Sequence, residues 1–149
     1  MTRFRLAVTV CLLIVVPMAV APATGDEIGQ IKTVTGEVTI IRRTVQQPAR
    51  VGDLLEVSDT LVTGAESSVG VTFIDNSRLS AGPHSRIELQ QFRFNPTTQE
   101  GESLTEIKRG TLAIISGQIA KQSPDAMQVK TPTTILGVRG TKFVVQVKE

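Results

Sequence analysis

Short β-branched runs, each closed off by a cluster of turn-forming residues, govern what this chain can fold into. They read VTII at 38–41, VGVTFI at 69–74, SRIELQQFRF at 85–94, LTEIKRGTLAII at 104–115 and KFVVQV at 142–147. In Val69-Val71-Phe73 and Phe143-Val145-Val147 the apolar residues alternate, the period that sets one row of side chains on the buried face of a strand. No segment of helical length sustains a 3.6-residue period, so the sequence predicts an all-β fold. The intervening DNS (75–77), AGPHS (81–85), NPTTQEG (95–101) and QSPDA (122–126) set turns through proline's fixed φ and through residues that tolerate positive φ. Asp75-Asn76 predicts a two-residue hairpin, because asparagine is the best non-glycine occupant of the left-handed region.

Two Asp-x-Leu turns, Asp53-Leu54-Leu55 and Asp59-Thr60-Leu61, follow each other at a six-residue spacing. Turns so close together predict strands that wind in successive layers, as a twisted β-solenoid or roll, with a jelly-roll-like β-sandwich as the alternative. The first and last runs, Val38 to Ile41 and Lys142 to Val147, are the expected sheet edges, where a partner's strand can add by backbone hydrogen bonding.

The chain opens MTRFRLAVTVCLLIVVPMAVAPA, with Arg3 and Arg5 ahead of an apolar run and Ala21-Pro22-Ala23 behind it. That is the order of a secretory signal, and cleavage after Ala23 would make Thr24 the first mature residue. The run from Leu6 to Ala21 is interrupted by Pro17 and falls short of the roughly 20 residues of a spanning helix, so no permanent membrane anchor is expected. Cys11 follows Val10 rather than a small residue, so it reads as apolar filler and not as a lipoprotein cysteine.

Losing this segment changes the charge. Of 16 basic residues two go with it, leaving 14 against 14 acidic ones, a net charge of zero in place of +2. A neutral chain gives no electrostatic case for nucleic acid or anionic lipid. The remaining residues 24–149 hold no cysteine, are long enough for one domain with its own core, and show no linker that would divide them.

Catalytic chemistry has little to work with. The one histidine, His84, lies in a turn beside Ser85, and adjacency in sequence does not make a base and nucleophile. Metal sites need clustered ligands that this pattern lacks, and no cofactor is implied. Asp53, Asp59 and Asp75 read as side chains that close Asx turns, with a carboxylate pair as the competing reading. Phe73, Phe92, Phe94 and Phe143 are the mature aromatics: Phe73 and Phe143 lie on alternating strands and read as core, and Phe92 and Phe94, at a period of two, read as core with a shallow exposed patch as the alternative. GVRGT at 137–141 is the most distinctive group: Gly137 and Gly140 permit a sharp turn, Val138 anchors it, and Arg139 beside Thr141 reaches outward. A guanidinium's rigid fork suits a structural clasp on Asp59 or Asp75, or else a hook for an anionic ligand.

Three segments together, VGDLLEVSDTLVTGAESSVGVTFIDNSRLSAGPHSRIEL (51–89), IKRGTLAI (107–114) and VKTPTTILGVRGTKFVV (129–145), make the chain resemble the FecR-domain family from about residue 34 to 147. The family commonly has glycine at the positions of Ser58 and Asn76, and asparagine at that of His84. Ser58 implies that its turn needs no positive φ. The resemblance implies an extracytoplasmic β-domain related to regulators of iron-siderophore uptake, which pass a signal from an outer-membrane receptor to a sigma factor. Those regulators carry a sigma-binding segment before a membrane helix, whereas only five residues precede the apolar run here, so the free-standing exported form is expected. The expected function is a non-catalytic binding or sensing module, periplasmic or secreted, for a protein or envelope partner. A structural envelope adaptor is the alternative, and an enzyme using aspartates the third reading.

Overall fold

The computed structural model describes residues 26–148. The predicted signal segment, residues 1–23, and its cleavage site lie outside the described residues. In chain order the elements are β1 (Glu27–Thr35), β2 (Val38–Arg42), β3 (Val45–Pro48), β4 (Leu54–Glu56), β5 (Thr60–Thr63), β6 (Ser68–Phe73) and β7 (Arg78–Ala81). There follow β8 (Arg86–Phe94), β9 (Gly101–Ile115), a one-turn helix α1 (Gln118–Gln122), β10 (Met127–Lys130), β11 (Ile135–Gly137) and β12 (Lys142–Val147).

These strands form one strongly curled, open sheet. Its path runs β3-β2-β5-β8-β9-β7-β6-β1-β4, and every step is antiparallel. Strand β9 holds the curl together. Its first part, Gly101 to Arg109, pairs with β8, and its last part, Gly110 to Ile115, pairs with β12 and β7. Strand β10 adds to the first part in parallel and carries β11. One hydrophobic cluster draws Ile31, Val71, Leu79 and Leu112 from one half of the curl and Ile40, Leu61, Ile87, Leu89, Ile107 and Val129 from the other, so the core lies inside the roll.

The chain crosses between the halves at polar corners, and four of these stack side by side. The Ser67 hydroxyl accepts the Glu37 N–H at 2.9 Å, and the Glu37 carbonyl accepts the Gly64 N–H at 2.9 Å. The Thr63 hydroxyl donates to the Gly82 carbonyl at 2.6 Å and accepts the Ser85 N–H at 2.9 Å. The Ser85 hydroxyl in turn accepts the Thr111 N–H at 3.0 Å and donates to the Gly82 carbonyl at 2.8 Å. Ser67, Thr63 and Ser85 are all buried, so these small hydroxyls supply the partners that backbone groups at sheet corners would otherwise lack. Beside them Gly110 turns β9 from one half to the other with φ +91, and a Cβ there would lie 2.2 Å from the Ser85 hydroxyl oxygen and 2.4 Å from its Cα.

The all-β reading holds, and the winding is that of a roll. Three local expectations need correction. Ser58 has φ +73: its N–H donates to the Leu89 carbonyl at 2.7 Å while the next residue's carbonyl accepts the Leu89 N–H at 2.9 Å, and this double tie forces the left-handed turn on a non-glycine residue. The loop at Asp75-Asn76 is longer than two residues, since Phe73 N–H bonds to the Ser77 carbonyl and Asn76 N–H to the Phe73 carbonyl; Asn76 supplies its left-handed residue at φ +64. Val38 to Ile41 is not an edge, because β2 is bonded to β3 on one side and β5 on the other. Among the described residues strand β12 pairs with β9 alone and ends its ladder.

Candidate functional site

The tightest polar group sits where β2 ends beside the corner joining β4 to β5. Arg42 continues the alternation of the buried Val38 and Ile40, so its guanidinium is delivered toward that corner. Its Nε and Nη2 donate to the two carboxylate oxygens of Asp59 at 2.8 and 2.7 Å. Nη1 donates to Glu56 Oε1 at 2.8 Å and Nη2 also to the Leu54 carbonyl at 2.9 Å. Asp59 is wholly buried, and its Oδ2 accepts the Glu56 N–H at 2.9 Å. The bond to Asp59 raises the Arg42 pKa above its ordinary value, against the lowering by partial burial. All three guanidinium nitrogens are thus spent on holding one corner to one strand.

Asp75, equally buried, accepts the Ser77 N–H at 3.0 Å and the Ser77 hydroxyl at 2.5 Å on Oδ1, and the Ile119 N–H at 3.4 Å on Oδ2. Its backbone carbonyl accepts the Gln118 N–H at 2.8 Å, which fixes the start of α1 to the β6–β7 hairpin. Gly117 permits this approach, because a Cβ there would fall 2.3 Å from that carbonyl oxygen. Asp53 accepts the Arg50 N–H at 2.8 Å. Each of the three aspartates therefore serves a backbone N–H of its own turn.

GVRGT joins β11 to β12. Val138 is buried, and its N–H bonds to the Met127 carbonyl at 2.8 Å. Gly137 closes β11 opposite Gln128, and Gly140 turns with φ +115 while its carbonyl accepts the Ser116 hydroxyl at 2.5 Å. The Thr141 carbonyl accepts the Ser116 N–H at 2.9 Å. Arg139 meets neither Asp59 nor Asp75. It forks onto Asp125, with Nε and Nη2 donating to Oδ1 at 3.2 and 2.9 Å, and both side chains are about three-quarters exposed, 74% and 73%. The proposed clasp on a buried aspartate is thus corrected: that task belongs to Arg42, and Arg139 pairs at the surface because the β10–β11 register, Gln128 opposite Gly137, sets its turn beside Asp125. As a hook for an anion it would have to exchange Asp125 for the ligand.

The structure does not bring Arg139, Asp59 and Asp75 together into one site. Nor does it build a nucleophile at His84, whose φ of +52 and N–H bond to Gly64 make it a corner residue, while the adjacent Ser85 hydroxyl is committed to backbone groups. Phe92 is buried and stacks on Phe73 with ring centroids 5.3 Å apart. Among the described residues no group of three or more His, Cys, Asp or Glu could hold a metal ion, and no helix is long and apolar enough to cross a membrane. The sequence reading passed over Arg42, although a charged residue in phase with Val38 and Ile40 on a strand marks a cation aimed at the core side.

The family described as FecR protein matches residues 59–149, a span that opens on the buried carboxylate of the clasp and runs through the stacked corners to GVRGT. No curated protein and no solved structure matches the chain.

Proposed function

This chain belongs to the FecR family, and from that premise we propose that it is an exported, non-catalytic binding or sensing module of the bacterial cell envelope that recognises a protein or an envelope component. The observation that carries this reading is where the polar chemistry goes. The buried acids Asp59 and Asp75 and the buried hydroxyls of Ser67 and Ser85 are tied into corners and loop closures. Groups so bound hold surfaces in place; a reacting centre needs a base or nucleophile free to move a proton. The family is one of regulation and sensing, and recognition through a rigid curled sheet fits that setting.

The test combines localisation and capture. Intact-mass measurement of protein recovered from the envelope is expected to show a chain beginning at Thr24, and photo-crosslinking from exposed Arg139 and Ile74 in living cells is expected to trap one defined envelope partner. Turnover of an envelope polymer that disappears in Asp59→Asn or Asp75→Asn, with folding retained, would overturn the binding reading.

A further inference from the structure

Among the described residues four strands end their ladders with one side open: β3, β4, β11 and β12. Strands β4 and β11 have three residues each, and β3 carries Pro48. The bond from Ala49 N–H to the Val38 carbonyl fixes the phase of that ladder, so Pro48 sits where the strand's backbone points outward and removes a donor from the open side. Strand β12 has six residues, KFVVQV, without proline or acid. It is the longest of these open edges, and no proline interrupts it.

The phase of β12 is fixed as well. Ser116 N–H bonds to the Thr141 carbonyl, so along the unbroken ladder Phe143, Val145 and Val147 exchange bonds with Ile114, Leu112 and Gly110 of β9. Lys142, Val144 and Gln146 therefore turn their N–H and C=O groups outward. The side chains alternate in the same rhythm: Phe143, Val145 and Val147 lie half-buried against the core, and Val144, on the other face, is 60% exposed.

We infer that β12 pairs antiparallel with β12 of a second copy of this chain, about a two-fold axis through Val144, so that the curled sheet continues from one protomer into the next. In this register the outward groups of Lys142, Val144 and Gln146 meet those of Gln146, Val144 and Lys142 of the second copy, and every outward N–H and C=O of these three residues gains a partner. On the exposed face Val144 lies against its own symmetry mate, and Lys142 lies against the amide of Gln146. On the core face each Phe143 lies opposite a Val145, an aromatic and β-branched pair of the kind that stabilises cross-strand contacts. Shifting the axis to Lys142 would set like charges against each other and leave half of the strand unpaired. An edge that satisfies itself in this way makes an isologous contact. The inference concerns the protein's own assembly and stands apart from the binding role above.

Sedimentation of the envelope-recovered protein over a range of concentrations is expected to show a reversible monomer–dimer equilibrium. Val144→Pro removes an outward N–H and no bond to β9, and it is expected to abolish the dimer with an unchanged circular dichroism spectrum. Should that variant misfold, Val144→Lys, which sets two ammonium groups across the axis, is expected to give the same loss. Register is read in the exported protein, whose residues 24–149 hold no native cysteine: Val144→Cys is expected to form a disulfide with itself, and Lys142→Cys to link to Gln146→Cys in a mixture while neither links well alone. A wild-type protein that stays monomeric at every concentration overturns the inference, as does a dimer that survives in a folded Val144→Pro or Val144→Lys protein. A monomer that captures an envelope protein through Val144 would assign this edge to a foreign strand and overturn it too.

Discussion

The β4–β5 corner and the β11–β12 turn each hold an arginine forked onto an aspartate, and the similarity of the two pairs ends at their surroundings. Arg42 reaches Asp59 at 2.7 and 2.8 Å with the aspartate side chain wholly buried and the arginine side chain 29% exposed, while also tying Glu56 and the Leu54 carbonyl. Arg139 reaches Asp125 at 2.9 Å with both partners in solvent. Water competes for every bond of the second pair and for few of the first, so the same chemistry is a fastening in one place and a replaceable contact in the other. Two glycines repeat the contrast. Gly110 and Gly140 both have positive φ, but a side chain at Gly110 would collide with Ser85, whereas at Gly140 nothing lies within 4 Å. One region is closed by its neighbours and the other leaves its groups available.

The largest effect should come from Gly110→Ala. Overpacking against Ser85 and an unfavourable φ act together, and their sum is expected to reach about 4 kcal/mol or more. Denaturant unfolding should find the variant barely folded or unable to accumulate. Near-parental stability would mean that the two halves of β9 can separate at the hinge, and the closed region would then be less closed than its contacts indicate.

Arg42→Ala comes next. It leaves the Asp59 carboxylate buried without its cation, and the expected loss is about 3 kcal/mol, near the low end of the range for such breaks because the guanidinium keeps some contact with water. Arg42→Lys should recover only part of it, since an ammonium cannot span both oxygens and Glu56 at once. The pH dependence has a definite sign. The folded-state pKa of Arg42 lies above its unfolded value, so its contribution is complete below the unfolded value and is lost only as pH rises through the folded one. The stability gap between parent and Arg42→Ala should therefore stay constant from neutral to about pH 10, far below any guanidinium titration. A gap that closes within that interval would show that Arg42 is not what holds the corner.

Gly140→Ala should cost about 1 to 2 kcal/mol, because only the backbone conformation is strained and no neighbour is displaced. A loss as large as that at Gly110 would erase the distinction between the regions.

The contrast also explains which parts of the molecule were legible in the sequence. Alternation along Val69-Val71-Phe73 and Phe143-Val145-Val147 is a local pattern, and it announced the strands and their buried faces. One corner was local too, because Gly82-Pro83 is turn chemistry whatever surrounds it. What the corners do to each other was not local: Ser85 meets Thr111 across 26 residues and Thr63 across 22, and only the winding of the chain brings them together. The same limit misassigned the clasp. Arg139 stands out because glycines flank it, whereas Arg42 ends an ordinary strand, and which arginine meets Asp59 depends on β2 lying beside β5. Ser58 shows the complementary case, in which tertiary bonds to Leu89 impose a conformation that the residue's own preferences argue against.

The smallest effect on stability should be that of Arg139→Ala, and it separates stability from function. An exposed ion pair of this kind contributes no more than about 1 kcal/mol, and added salt should reduce even that. The denaturant midpoint is therefore expected to shift little, and Arg139→Lys should match the parent. Partner capture can behave differently. A guanidinium held only by Asp125 is available to a carboxylate or phosphate on a partner at modest cost, since one exposed anion replaces another. If Arg139 contributes to recognition, crosslinking to the envelope partner should fall in both Arg139→Ala and Arg139→Lys while folding stays intact, because the fork and not the charge alone makes the bidentate contact. Asp125→Ala should then strengthen capture, by freeing the guanidinium. Equal capture by the parent and all three variants would make this pair a surface contact without a role in recognition.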